Sequence, residues 1–173
     1  ATMQRFRVLT ATLGLAVLVG ASGCNTMPAP AGAVVGGKVH EVTFTAMETE
    51  IVVDGNGTKY KAWTFNGQMP GPVVRVTEGD TVNFTLIGDK NNTYPHSMDF
   101  HAAELDFLKN YHTTVGPGDT HKYSFVAKKP GVFFYHCGAG PMIQHVARGM
   151  FGAIIVDPKD ATVWPKADRE FVL

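Results

Sequence analysis

The chain is predicted to be all-β, a Greek-key sandwich of short strands, on three observations. Runs of alternating or β-branched residues recur from Val39 to Val156, turn signals separate them, and glycine and proline (19 and 10 of 173 residues) are plentiful without a repeat period. The roughly 135 residues from Val39 onward suffice for one domain with a single core, which would bury about two-thirds of its unfolded surface.

Before that domain, Arg5 and Arg7 precede an apolar run from Val8 to Val19, and Gly20-Ala21-Ser22-Gly23 lead to Cys24. This reads as a secretory signal peptide, because a spanning helix needs about 20 apolar residues. Cys24 after Ala21-Ser22-Gly23 resembles a bacterial lipobox cysteine, the residue that becomes lipidated, so residues 1–24 are read as a signal with a lipobox and Cys24 as a membrane tether. Residues 25–38, rich in Ala, Pro and Gly, read as a flexible linker.

The β domain spans residues 39–159. Its first strand lies within His40 to Asp54, and Asp54-Gly55-Asn56-Gly57 is a turn signal before a second at Lys59 to Phe65. Gly71 to Val76, Glu78-Gly79-Asp80 and Thr81 to Leu86 read as strand, tight turn and strand, and further strands are expected at His121 to Val126, Val132 to Cys137 and Gly152 to Val156. Ala102 to Tyr111 reads equally as a helical turn or a loop. Residues 160–173 read as an interdomain linker.

Lys plus Arg and Asp plus Glu each number 15, so the net charge of zero leaves no basic footprint and argues against nucleic acid as a partner. The two cysteines are Cys24 and Cys137, one in the signal, so no structural disulfide is expected.

Tyr135-His136-Cys137, followed by His145 and Met150 and preceded by His96, carries the chemistry. Two imidazoles, a thiolate and a distant thioether are the ligand set of a blue-copper electron-transfer site. Neighbours on a strand point to opposite faces, so His136 and Cys137 must serve different centres. If His96 to His101 is extended, His96, Met98 and Phe100 share one face, and Asp99 and His101 the other. That parity predicts an inner site with Cys137 and His96 and an outer site with His101, His136 and Asp99. His40, His112 and His121 lack such pairing and read as ordinary surface or hydrogen-bonding residues.

Pro95-His96-Ser97-Met98-Asp99-Phe100-His101, Phe134-Tyr135-His136-Cys137 and the C-x7-H-x4-M spacing resemble the first cupredoxin domain of copper-containing nitrite reductases, and the likeness spans roughly Val39 to Lys159. The resemblance implies a type 1 copper held by His96, Cys137, His145 and Met150, a type 2 copper held by His101 and His136, and Asp99 as the active-site acid. It also implies one-electron reduction of nitrite to nitric oxide, a small cupredoxin or cytochrome c as electron donor, and a homotrimeric parent. The family draws a third type 2 histidine from a second cupredoxin domain, so the chain is read as an amino-terminal fragment, inactive alone, of a periplasmic or membrane-anchored bacterial enzyme. The alternative is a single-domain electron carrier with only the inner copper. A multicopper oxidase fragment is disfavoured because Cys137 is followed by Gly138 and no His-x-His run occurs.

Overall fold

A computed structural model describes residues 37–104 and 113–172. The signal, Cys24, most of the linker and His112 lie outside the described residues. Among the described residues eight strands follow in chain order: β1 (Val39–Val52), β2 (Lys59–Phe65), β3 (Val74–Thr77), β4 (Thr81–Gly88), β5 (Asp99–Phe100), β6 (Thr120–Val126), β7 (Gly131–His136) and β8 (Phe151–Asp157). One sheet has the order β2-β1-β4-β6 and the other β3-β8-β7-β5. The expected sandwich is thus observed, with one departure, a short helix α1 (Met142–Ala147) whose six residues are too few for periodicity to announce. A 3₁₀ turn (His101–Ala103) opens the stretch that reads as helical turn or loop, and residues 105–111 of that stretch lie outside the described residues.

The strands form where one face can be buried. In β4, Val82, Phe84 and Leu86 are buried and alternate with half-exposed Thr81, Asn83 and Thr85. The Asp54 carboxylate accepts from the amides of Asn56 and Thr58 and from the Thr58 hydroxyl, and Gly57 takes φ 82°, closing the β1–β2 hairpin. The tight turn after β3 joins the two sheets rather than making a hairpin, since β3 pairs in parallel with β8 while β4 pairs with β1 and β6. Asp80 fixes that turn. Burial works against its charge, but hydrogen bonds from the Thr77 amide, His40 and the Lys38 amide hold its carboxyl below the usual range.

Phe44, Phe65, Phe84, Phe100 and Tyr135 meet between the sheets, with Phe84 and Phe100 edge-to-face at 5.0 Å and Phe44 and Tyr135 at 5.5 Å. Burying each such ring contributes about 1.5–3 kcal/mol. Tyr135 lies opposite Gly152 in the β7–β8 register and donates its hydroxyl to the Pro72 carbonyl at 2.7 Å. Along β7, Phe133 and Tyr135 face this core, whereas Val132 and Phe134 are exposed on the other side. The strand therefore presents Cys137 inward and His136 outward.

Candidate metal centres

Segment 96–101 is not one continuous strand. His96 makes an isolated bridge with Val115, only Asp99–Phe100 pairs with β7, and His101 begins the 3₁₀ turn. Met98 and Phe100 are fully buried as expected, but alternation fails at Ser97, which is also fully buried and turned toward the thiol. The division of ligands between two centres nevertheless follows the predicted parity.

At the inner centre, His96 Nδ1 and His145 Nδ1 are 3.2 Å apart and Cys137 Sγ lies 3.3 Å from His145 Nδ1. The three ligand atoms all fall within 4.8 Å of one another, and all three side chains are buried. Two bare imidazole nitrogens at that separation repel unless a proton or a cation sits between them, and a metal about 2 Å from each nitrogen fits the gap. Helix α1 carries His145. Its last turn returns the chain so that Met150 accepts from the Cys137 amide at 3.1 Å and donates its own amide to the His145 carbonyl at 3.2 Å. The Met150 side chain is fully buried in the same core cluster as Cys137.

Three contributors had no sequence signal. The Ser97 amide points at Cys137 Sγ at 3.3 Å, and Ser97 Oγ accepts from the Gly138 amide at 2.8 Å, holding the loop around the sulfur. Trp63 stands edgewise against both His96 (5.4 Å) and His145 (4.6 Å), with the Arg148 guanidinium over its ring at 4.7 Å. Glu48 lies 3.3 Å from the outer nitrogen of His96. These contacts bring together residues tens of positions apart, and no local motif encodes them.

Burial and the neighbouring His145 push the His96 imidazole down to about 4, with Glu48 opposing. Burial also lowers His145, aided by the Arg148 charge. Burial raises the Cys137 thiol, while amide hydrogen bonds from Ser97 and Ala139 favour its thiolate. Neutral imidazoles and a thiol whose anion is already solvated by amides form a donor set ready for a soft cation.

At the outer centre, His101 Nε2 and His136 Nε2 face each other at 3.1 Å. The Nδ1–H of His136 donates to the Cys137 carbonyl at 3.0 Å, which assigns the tautomer and leaves Nε2 as a lone pair. Asp99 lies opposite His136 in the β5–β7 register, and its Oδ2 is 3.9 Å from His136 Nε2. Asp99, His101 and His136 again place ligand atoms within 4.8 Å of one another. Asp99 and His136 are buried but His101 is exposed, so this centre opens outward while the inner one is enclosed. Of the seven side chains assigned to the two sites from sequence, six place their ligand atoms in these two clusters, and Met150 is joined to the inner one through its backbone bonds to Cys137 and His145.

The family model described as "Multicopper oxidase" matches residues 46–161. Copper-containing nitrite reductases of Neisseria meningitidis and Rhizobium meliloti are 42% identical over 132 residues and 46% identical over 126. Those alignments cover 76% and 72% of this chain but 33% and 34% of the relatives, so the chain spans about a third of their length. A solved structure, the copper nitrite reductase of Nitrosomonas europaea, superposes with TM-score 0.74 at 63% identity, covering 78% of this chain and 47% of that one.

Proposed function

Because this chain belongs to the multicopper oxidase family, with copper-containing nitrite reductases among its relatives and copper as its cofactor, we propose that it is the electron-receiving domain of a nitrite reductase that forms nitric oxide. The observation that carries the reading is the pair of donor clusters meeting at adjacent residues, Cys137 in the inner and His136 in the outer. An electron carrier alone would need only the inner cluster. Two imidazoles whose Nε2 atoms face at 3.1 Å beside a buried carboxylate support a second, reactive centre. Dioxygen reduction at a trinuclear cluster lacks the His-x-His runs it would need within these 173 residues.

Reducing nitrite to nitric oxide consumes one electron and two protons and releases water. When bound, copper would supply the one-electron chemistry at both centres. His96, Cys137 and His145, with Met150, would hold the inner ion away from water. Cys137 and His136 join the centres through one peptide unit and through the hydrogen bond from His136 Nδ1 to the Cys137 carbonyl. His101 and His136 would hold the outer ion, and Asp99, its Oδ2 3.9 Å from His136 Nε2, would hydrogen-bond a nitrite oxygen and hand it a proton.

The same reading includes a homotrimeric parent in which a further domain completes the outer centre, and a small cupredoxin or cytochrome c as donor. It also includes export to the periplasm under the amino-terminal signal, with Cys24 as a lipid tether. The test is Asp99→Asn in the parent protein. Both coppers and the visible thiolate band should stay while nitrite turnover falls by about 10²–10⁴-fold, and an unchanged turnover number would remove Asp99 from the mechanism.

A further inference from the structure

The loop that carries His96 is held to the edge of β1 by one carboxylate. Glu48 Oε1 accepts from the Thr93 amide at 2.8 Å and the Tyr94 amide at 2.7 Å, and it lies 3.3 Å from His96 Nε2. The Asn92 side chain ties the same loop to the same strand. Its amide donates to the Ala46 carbonyl at 2.8 Å and its oxygen accepts from the Glu48 amide at 2.9 Å. Glu48 is well covered, with a side-chain exposure of 16%, and His96 is fully buried.

We infer that Glu48 is a positioning residue of the inner centre: it fixes the tautomer and ring angle of His96 and sets the charge felt by the ion bound there. The inference rests on the inner centre proposed above. A carboxylate accepts only, so the shared hydrogen must sit on His96 Nε2, and Nδ1 is left as the lone pair. That is the nitrogen found 3.2 Å from His145 Nδ1. Two backbone amides immobilise the carboxylate, so it does not follow His96; the imidazole follows it. A ligating imidazole that donates its second N–H to a carboxylate is oriented and made more basic, and loss of such a partner typically costs about 10–100-fold in metal affinity. The fixed negative charge also favours the more highly charged oxidised ion, so it lowers the reduction potential.

Three variants of the full chain loaded with copper, measured beside the wild type, separate these roles. Glu48→Ala should weaken copper binding by about 10–100-fold in chelator competition. Glu48→Gln keeps an oxygen acceptor without the charge. It should restore most of the affinity, keep the visible thiolate band and shift the reduction potential upward. Glu50→Gln, on the same strand but paired with Lys59 at 2.8 Å, should leave both quantities unchanged. In the copper-free protein, Glu48→Ala should speed hydrogen exchange at the Thr93 and Tyr94 amides, a readout independent of any metal. Unaltered affinity in Glu48→Ala, or a Glu48→Gln potential equal to that of the wild type, would overturn the inference. A wild-type chain that takes up copper without a thiolate band would instead overturn the inner centre itself, and the inference with it.

Discussion

Acidification of the copper-free protein probes the inner centre directly. His96 and His145 are both held neutral in the fold, and burial pushes His96 down to about 4 from its ordinary 6.5. In the unfolded chain both rings take a proton below about pH 6.5. Between those values the unfolded state binds more protons, so the stabilisation is complete above pH 6.5 and is lost as pH falls toward 4. Each pH unit across that window costs about 1.4 kcal/mol through His96, so the step from pH 6.5 to 5 removes about 2 kcal/mol, and His145, also lowered, acts in the same direction. Against a typical total of about 5–15 kcal/mol, that is a large share. Urea unfolding of the copper-free protein at pH 6.5 and pH 5 should show the midpoint falling by about 1 M at constant slope. His96→Gln should flatten much of that dependence. A midpoint that does not move over this interval, or that moves equally in His96→Gln, would refute the reasoning. Copper takes the place of those protons, so the loaded protein should release its metal over the same acid range.

His136→Ala should empty the outer centre while the inner one keeps its visible band, because the two side chains leave β7 on opposite faces; losing the band as well would contradict that division. Gly152→Ala puts a Cβ into the Tyr135 ring, whose hydroxyl is anchored to Pro72, and should cost about 1–3 kcal/mol by urea unfolding and shift β7 with His136 and the adjoining Cys137. Trp63 touches both inner imidazoles, so copper loading should quench its emission, and Trp63→Phe should abolish the copper-dependent change that Trp164 cannot supply. Persistence of the full change in Trp63→Phe would show that the quenching arises elsewhere.

Much of this was legible in the chain itself, for definite reasons. The C-x7-H-x4-M spacing points to Cys137 and His145 of the inner cluster because the loop between them is local. Strand alternation separates His136 from Cys137 because β7 is regular up to its end. The same alternation described 96–101 less well. Ser97 turns inward to meet the thiol, a tertiary demand that overrides the local period. Helix α1 was missed because its residues Met142 to Ala147 make fewer than two turns. Glu48 and Trp63 went unnoticed because nothing near them in sequence distinguishes a carboxylate or an indole on a half-buried strand from any other. Their importance comes from which loop packs against them.

The two sheet orders have a further consequence, for the company this domain keeps. Among the described residues each sheet ends in strands whose open backbone could recruit a neighbouring chain, and all four are blunted. β5 is two residues long and β3 only four, with Arg75 pointing outward from β3. Lys59 and Lys61 on β2, and Lys122 on β6, place solvated charge along the two longer edges. Long exposed apolar edges are templates for fibrous stacking, whereas these are short or cationic, so edge-to-edge growth is discouraged at both ends of both sheets. A domain whose outer cluster opens outward can therefore expose it without inviting its own copies to add strands.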